Sequence, residues 1–208
     1  MTPARRAMDV VVSAVLLVIL SPVIAWVAWR TWRAQGRPIL YGAERMAAPG
    51  RPFTLWKFRT MAPVADGAGD DAGVTGGAKA DRITPAGAWL RARRLDELPQ
   101  LWNVLRGDIA LVGPRPPLRR YVEMFPDLYA RVLRARPGIT GAASLAFARR
   151  EAALLADCDT PEATERVYVE RCVPAKARLD LWYARRAGVC ADLGLMWRTA
   201  RRFWLGRR

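Results

Sequence analysis

From Val10 to Trp29 the chain runs for 20 residues without a charged side chain, and no other feature limits its fold so strongly. At about 1.5 Å per residue, a helix of this length reaches roughly 30 Å, the thickness of a bilayer's hydrocarbon core. Such a segment belongs in membrane. Arg5 and Arg6 precede it, as in a secretory signal, but Trp26, Trp29 and Trp32 stand where a small-residue cleavage site would be needed. Two features bend the helix. Pro22 offers no N–H to the carbonyl of Val18, while Ser21 beside it can satisfy freed backbone groups. Cations also flank both ends, Arg5 and Arg6 before and Arg30, Arg33 and Arg37 after, drawing both toward the cytoplasmic side. The expectation is a re-entrant membrane anchor over residues 1–36, with an ordinary kinked transmembrane helix as the alternative.

The remainder, residues 37–208, is long enough for one catalytic domain with its own core, but hardly for two. Its partners are limited by charge. Lys and Arg total 34 against 19 acidic residues, a net charge of +15, which suits nucleic acid, phosphorylated small molecules or anionic lipid. Only Lys57, Lys79 and Lys176 are lysines, so GC-rich coding is a competing source of the arginine excess. The absence of histidine excludes Ser-His and Cys-His triads, histidine metal sites and a phosphohistidine route. Carboxylates, Arg and Lys must carry any chemistry. Cys158, Cys172 and Cys190 form no C-x-x-C pair, so neither a zinc ribbon nor a disulfide framework is indicated.

Residues Pro38 to Tyr41 and Phe53 to Phe58 read as short strands around a turn at Pro49 and Gly50. Residues 62–80, nearly all Ala, Gly, Asp, Val and Thr, read as a mobile loop or lid. Arg82 to Leu105 is expected to be mainly helical with a break near Asp96, followed by the apolar stretch Ile109 to Val112 and the rigid turn Gly113-Pro114-Arg115-Pro116-Pro117. Helical spacing returns at Tyr121 to Arg134. At the C-terminus Leu193, Met196, Trp197, Ala200, Phe203 and Trp204 are helically spaced among arginines, which suits a helix lying on an anionic membrane. The same stripe would also suit packing on the protein's own core. The fold class expected is α+β, mainly helical with a few short strands, a bent re-entrant membrane helix and interfacial amphipathic helices.

The central signal is Leu95-Asp96-Glu97-Leu98-Pro99-Gln100, preceded by Arg91, Arg93 and Arg94. Pro99 is comfortable only in the first turn of a helix, so Asp96 and Glu97 are expected at or near its start, where free N–H groups attract phosphate. Two carboxylates would repel a phosphate unless a divalent cation and nearby guanidinium groups neutralise them. Taken alone, an Asp there is usually an N-cap and the following Glu a favourable first-turn charge.

The wider series resolves that ambiguity. Lys57-Phe58-Arg59-Thr60-Met61, Asp81-Arg82-Ile83-Thr84, Leu95 to Gln100, Gly113 to Pro116 and Pro137 to Gly141 occur in this order. The series resembles the bacterial sugar transferases, monotopic phosphoglycosyl transferases acting on polyprenol phosphate. Arg5-Arg6-x-x-Asp9, Ser21-Pro22, Leu179-Asp180-x-x-Tyr183 and Asp192 are similar to further family positions, so the likeness covers nearly the whole chain.

The resemblance implies a two-step reaction. Asp96 attacks the β-phosphorus of a UDP-sugar and releases UMP, and polyprenol phosphate then takes the phosphosugar. It assigns Glu97 to Mg2+ and makes Arg91 the phosphate clamp. Lys57, Arg59, Asp81, Arg82, Pro114, Arg115, Pro116, Asp180 and Asp192 are implied substrate-binding positions, although Asp180 and Asp192 would also serve to tie the C-terminal segment to the basic core. Anionic membrane lipid is a further expected partner, nucleic acid is not, and a homodimer is compatible with the sequence. The expected place is the cytoplasmic face of the bacterial inner membrane.

Two departures stand out. Arg94 occupies a position that usually carries a small hydroxyl residue in the family, and Ala142 to Phe147 replaces a Gln- and Gly-rich motif, which leaves the sugar open. Long-form relatives carry additional N-terminal spanning helices, so the chain reads as a small catalytic-core form. A membrane-anchored polyanion-binding protein and an inactive scaffold are the rival readings.

Overall fold

The computed structural model describes residues 1–62 and 82–205. Asp81 and nearly all of the stretch read as a loop or lid lie outside the described residues. The chain opens with α1 (Pro3–Ile19) and α2 (Ser21–Gln35), which meet at a bend of 63°. No single described helix is long and apolar enough to cross a membrane, and this bent pair passes that test only when taken together. The break lies where Ser21 and Pro22 predict it. The Ser21 hydroxyl donates to the Val18 carbonyl at 2.8 Å, supplying the bond that Pro22 cannot. On α1, Val11, Val15, Val18 and Ile19 are exposed, whereas Asp9 and Ser13 are buried against the protein. The helix thus turns one apolar face outward and buries Asp9 and Ser13 on the other side, unlike a water-soluble helix.

Next comes an antiparallel hairpin, β1 (Leu40–Ala48) and β2 (Arg51–Phe58), with Tyr41 opposite Lys57. It is followed by α3 (Pro85–Ala92), a single 3-10 turn at Leu95–Glu97, and α4 (Gln100–Arg106). The expected break near Asp96 is therefore present, but its form differs from the expectation. Pro99 is the N-cap of α4 and not a first-turn residue, so Asp96 and Glu97 occupy a separate turn upstream. A seven-residue helix that starts beyond Pro99 is not what prepares this turn for an anion. The surrounding side chains are.

Strands β3 (Ala110–Val112) and β4 (Gly138–Thr140) pair in parallel, bracketing α5 (Arg119–Met124) and α6 (Pro126–Val132). The two strands approach so closely that a Cβ on Gly138 would stand 2.2 Å from the Gly113 nitrogen. Only glycine fits there. The chain continues through α7 (Ala142–Ala146), α8 (Ala148–Ala156) and α9 (Pro161–Val167), passes one π-helical turn at Tyr168–Cys172, and ends in α10 (Val173–Ala184) and α11 (Val189–Leu205).

Of three apolar clusters among the described residues, two support the acidic turn and its surroundings. The larger joins Ala43, Leu55, Leu101, Val104, Ile109, Leu111, Val112 and Leu195, with Val12, Leu16 and Leu20 of α1 packed on it. The smaller joins Val27, Phe58 and Leu90 with Val23, Ile24, Trp89, Leu95 and Leu98. Leu95 and Leu98 flank Asp96 and Glu97, so the acidic turn is mounted on α2. The C-terminal helix is divided between its faces. Asp192 and Leu195 face inward, while Leu193 and Trp197 are exposed.

Candidate active site

Four elements converge on the acidic turn. β2 delivers Lys57, the end of α3 delivers Arg91, the turn itself carries Arg94, Asp96 and Glu97, and the segment after β3 delivers Arg115. Pro114 and Pro116 are buried and hold the half-exposed Arg115 out between them. Glu97 Oε1 collects three cations: Lys57 Nζ at 3.7 Å, Arg94 Nη1 at 3.4 Å and Arg115 Nη2 at 3.4 Å. Burial alone would raise the Glu97 carboxyl, but Arg115, Lys57 and Arg94 overcome it and hold the group below the usual range.

Asp96 is the opposite case. It is 7 % exposed, and its Oδ1 is buried without a hydrogen-bond partner among the described residues. Burial raises its carboxyl first and the neighbouring Glu97 second, with Lys57 and Arg91 pulling the other way. A desolvated carboxylate oxygen with no donor on it is a poor structural element and a good nucleophile. Lys57 is brought down to about 8 by burial and by Arg115, partly offset by Glu97 and Asp96. It stands between the two carboxylates electrostatically, ready for an anion that neither can bind alone.

The turn is also bent into an uncommon shape. Arg94 has φ +55, in the left-handed region, where a side chain costs about 1 kcal/mol. Its guanidinium is directed to Glu97 instead of capping the turn, as a small hydroxyl residue would. Arg91 Nε donates to the Thr60 hydroxyl at 2.8 Å, which orients it from across the hairpin. Gly87 permits this approach, since a Cβ there would lie 2.0 Å from the Thr60 carbonyl oxygen.

The other predicted positions fall elsewhere. Arg59 is 7 % exposed, and its Nη2 donates to the carbonyls of Gln35 and, at 3.2 Å, Gly36. This ties the end of β2 to the end of α2. Arg82 Nη2 donates to the Ala62 carbonyl at 3.3 Å. Asp180 Oδ1 accepts the Ala143 N–H at 3.2 Å and so caps α7, and burial raises its carboxyl to about 6. Both oxygens of Asp192 are taken, one by Arg5 Nε and the other by the Tyr183 hydroxyl, each at 2.6 Å.

Two positioning residues escaped the sequence reading. Thr60 is one, as the anchor for Arg91. Asn103 is the other: fully buried, it accepts the Trp56 N–H at 3.0 Å and donates to the Thr54 carbonyl at 2.8 Å, fastening α4 to the strand that carries Lys57. Its signal was an amide between Leu101 and Val104 on a buried helix face.

The donor set fits a magnesium ion. Mg2+ typically takes one or two carboxylates and completes its shell with water and substrate phosphates. Glu97 would supply one such carboxylate, and among the described residues no group of three or more metal-ligating side chains gathers, so water and substrate phosphates would complete the shell.

This ring of cations around one open and one neutralised carboxylate is an arrangement for handling phosphate esters. The bacterial sugar transferase model matches residues 1–206, and the chain belongs to that family. Its relatives include the "uncharacterized sugar transferase EpsL" of Bacillus subtilis, 31% identical over 202 residues, 95% of this chain and 86% of that protein. A UDP-glucose:undecaprenyl-phosphate glucose-1-phosphate transferase of Klebsiella pneumoniae is 31% identical over 198 residues, 94% of this chain but 39% of that protein. One of the same name from Caulobacter vibrioides is 40% identical over 145 residues, 68% of this chain and 53% of that protein. The chain thus spans about two-fifths of the Klebsiella relative's length.

Proposed function

We propose that the chain transfers a sugar 1-phosphate from a UDP-sugar to undecaprenyl phosphate, as an early membrane step in assembly of a bacterial polysaccharide. The observation that carries this reading is the contrast within the turn: Asp96 keeps an unpartnered oxygen while Glu97 is neutralised by three cations. Names of relatives supply the substrate classes.

In the first step an Asp96 oxygen attacks the β-phosphorus. The bond to the oxygen bridging the two phosphorus atoms breaks, and UMP departs with that electron pair. Arg91, Lys57 and Arg115 hold the diphosphate oxygens and oppose the charge that develops on UMP. In the second step a phosphate oxygen of undecaprenyl phosphate attacks the same phosphorus, and Asp96 leaves as carboxylate. Dividing the transfer lets one buried group meet a soluble donor and a lipid acceptor in turn. Mg2+, held by Glu97, would supply Lewis-acid neutralisation of the diphosphate when bound.

Residues 1–36 act as a re-entrant anchor and 37–208 as the catalytic part on the cytoplasmic face of the inner membrane, with the outer face of α11 resting on anionic lipid. Reporter tags at residues 1 and 208 are expected to be cytoplasmic together, and a periplasmic tag at residue 1 would establish a true span.

The deciding experiment incubates the purified chain with a panel of UDP-sugars and reads UMP release and retention of the β-phosphorus label on protein. At least one donor is expected to give both. Asp96→Asn is expected to give neither, with a loss of about 10³-fold or more. Full turnover by Asp96→Asn would end the nucleophile assignment, and salt-sensitive oligonucleotide binding without UMP release from any donor would end the transferase reading.

A further inference from the structure

A second group of cations sits apart from the acidic turn, where α2 meets α3. The Arg30 guanidinium lies over the Trp89 ring, with Cζ 4.3 Å from its centroid, and 5.5 Å from that of Trp26. Arg93 lies over Trp89 as well, at 4.2 Å. The two indoles meet edge to face at 5.5 Å. Two like charges therefore share one ring, and among the described residues neither has a carboxylate partner. Among the described residues, the only hydrogen bond from either guanidinium is a long one, from Arg93 Nη1 to the Trp89 carbonyl at 3.5 Å.

A guanidinium stacked by its face keeps its N–H edge for an oxyanion, and two like charges held on one ring repel until one arrives. The surroundings say which kind. Trp26, Trp29 and Trp32 on α2 are 43%, 56% and 47% exposed, and Val18 and Ile19 at the bend are 74% and 65% exposed. Indoles in this setting mark the headgroup level of a bilayer. The cations that bear on Asp96 and Glu97 are different ones: Lys57, Arg91, Arg94 and Arg115.

We propose that Arg30 and Arg93, stacked with Trp26 and Trp89, form a binding site for the phosphate of an anionic bilayer phospholipid, distinct from the site around Asp96. Occupancy neutralises the paired guanidiniums and pins the end of α3 to α2. That junction matters because α3 also carries Arg91, and because Leu95 and Leu98 of the acidic turn pack with Val27 of α2. Lipid composition thereby reaches the geometry of the nucleophile through one short helix.

The test reads lipid binding and not turnover, so its result is independent of the transferase assignment. The full chain in maltoside micelles is titrated with phosphatidylglycerol or phosphatidylcholine and followed by native mass spectrometry. Phosphatidylglycerol is expected to be retained and phosphatidylcholine not. Arg30→Gln/Arg93→Gln should weaken phosphatidylglycerol binding by roughly tenfold or more, because two charge-assisted contacts are lost. Trp89→Leu, which keeps an apolar side chain in the cluster, should weaken it likewise and serves if the double variant folds poorly. Arg33→Gln/Arg37→Gln removes the same charge from the same helix end outside the stack, and should change binding by less than about twofold. Equal losses in the two double variants would reduce the stack to diffuse attraction and overturn the proposal. So would unchanged binding in Arg30→Gln/Arg93→Gln, displacement by one equivalent of undecaprenyl phosphate, or saturation by inorganic phosphate alone.

Discussion

Asp192 and Asp96 are both buried aspartates beside arginine, yet they are built for opposite purposes. Asp192, 1% exposed, has a short, well-matched donor on each oxygen, from Arg5 and Tyr183. Asp96, 7% exposed, keeps Oδ1 without any, while the nearby cations are directed at its neighbour Glu97. Burial beside arginine does not by itself distinguish a structural carboxylate from a reactive one. Saturation of its oxygens does. The first holds α11 to α1, and the second keeps an open oxygen, as the proposed nucleophile requires.

Substitution should separate the two in opposite directions. The largest effect is the loss of activity in Asp96→Asn described above, and its thermal midpoint is expected to stay within about a degree of wild type, since no protein donor is lost from Oδ1. Asp192→Ala should do the reverse. It strands Arg5 and the Tyr183 hydroxyl, and breaking one half of such a pair costs about 3 kcal/mol, visible as a lowered unfolding midpoint in detergent. Activity per folded molecule should remain within a few-fold of wild type. A catalytic collapse at unchanged midpoint would move Asp192 into the substrate site.

Lys57→Met tests the cation ring more gently. It should reduce kcat/KM for the donor by about 10²-fold without lowering the midpoint. An equal fall in stability would show that Lys57 holds Glu97 and not the diphosphate.

The smallest expected effect is at Asp180, whose carboxyl is raised by burial from 3.8 to about 6. The folded state favours its protonated form, so the stabilisation it contributes is complete below about pH 4 and is lost as pH rises through about 6. Asp180→Asn carries a neutral acceptor for the Ala143 N–H at every pH. Its midpoint should exceed that of wild type above pH 6 and converge with it below pH 4. A gap that widens toward acid would contradict the sign.

Much of the molecule was legible because the decisive residues act locally. Ser21 and Pro22 bend the anchor where a missing N–H and a nearby hydroxyl meet, and the strand–turn–strand pattern around Pro49 and Gly50 becomes the hairpin. Pro114 and Pro116 stiffen the segment that presents Arg115. The acidic turn was placed only roughly, because a proline that opens a helix as its N-cap and one inside its first turn leave the same local pattern. What stayed hidden joins distant segments. Arg5 and Asp192 are 187 residues apart, Arg91 and Thr60 31 apart, and Asn103 reaches Trp56 across 47. Arg59 reads as a phosphate ligand by motif, yet it fastens carbonyls at the end of α2. No periodicity encodes such pairings, since they arise only when packing brings the segments together.

The shared cluster of Val23, Ile24 and Val27 with Leu90, Leu95 and Leu98 bears on how this protein can be handled in the laboratory. A soluble fragment made by deleting the first 36 residues would not be a catalytic domain freed of its tether. It would lose the floor beneath the acidic turn. Detergent-free preparations, and inhibitor screens that depend on them, are better sought by replacing the outward side chains Val11, Val15, Val18 and Ile19 than by moving the start of the chain.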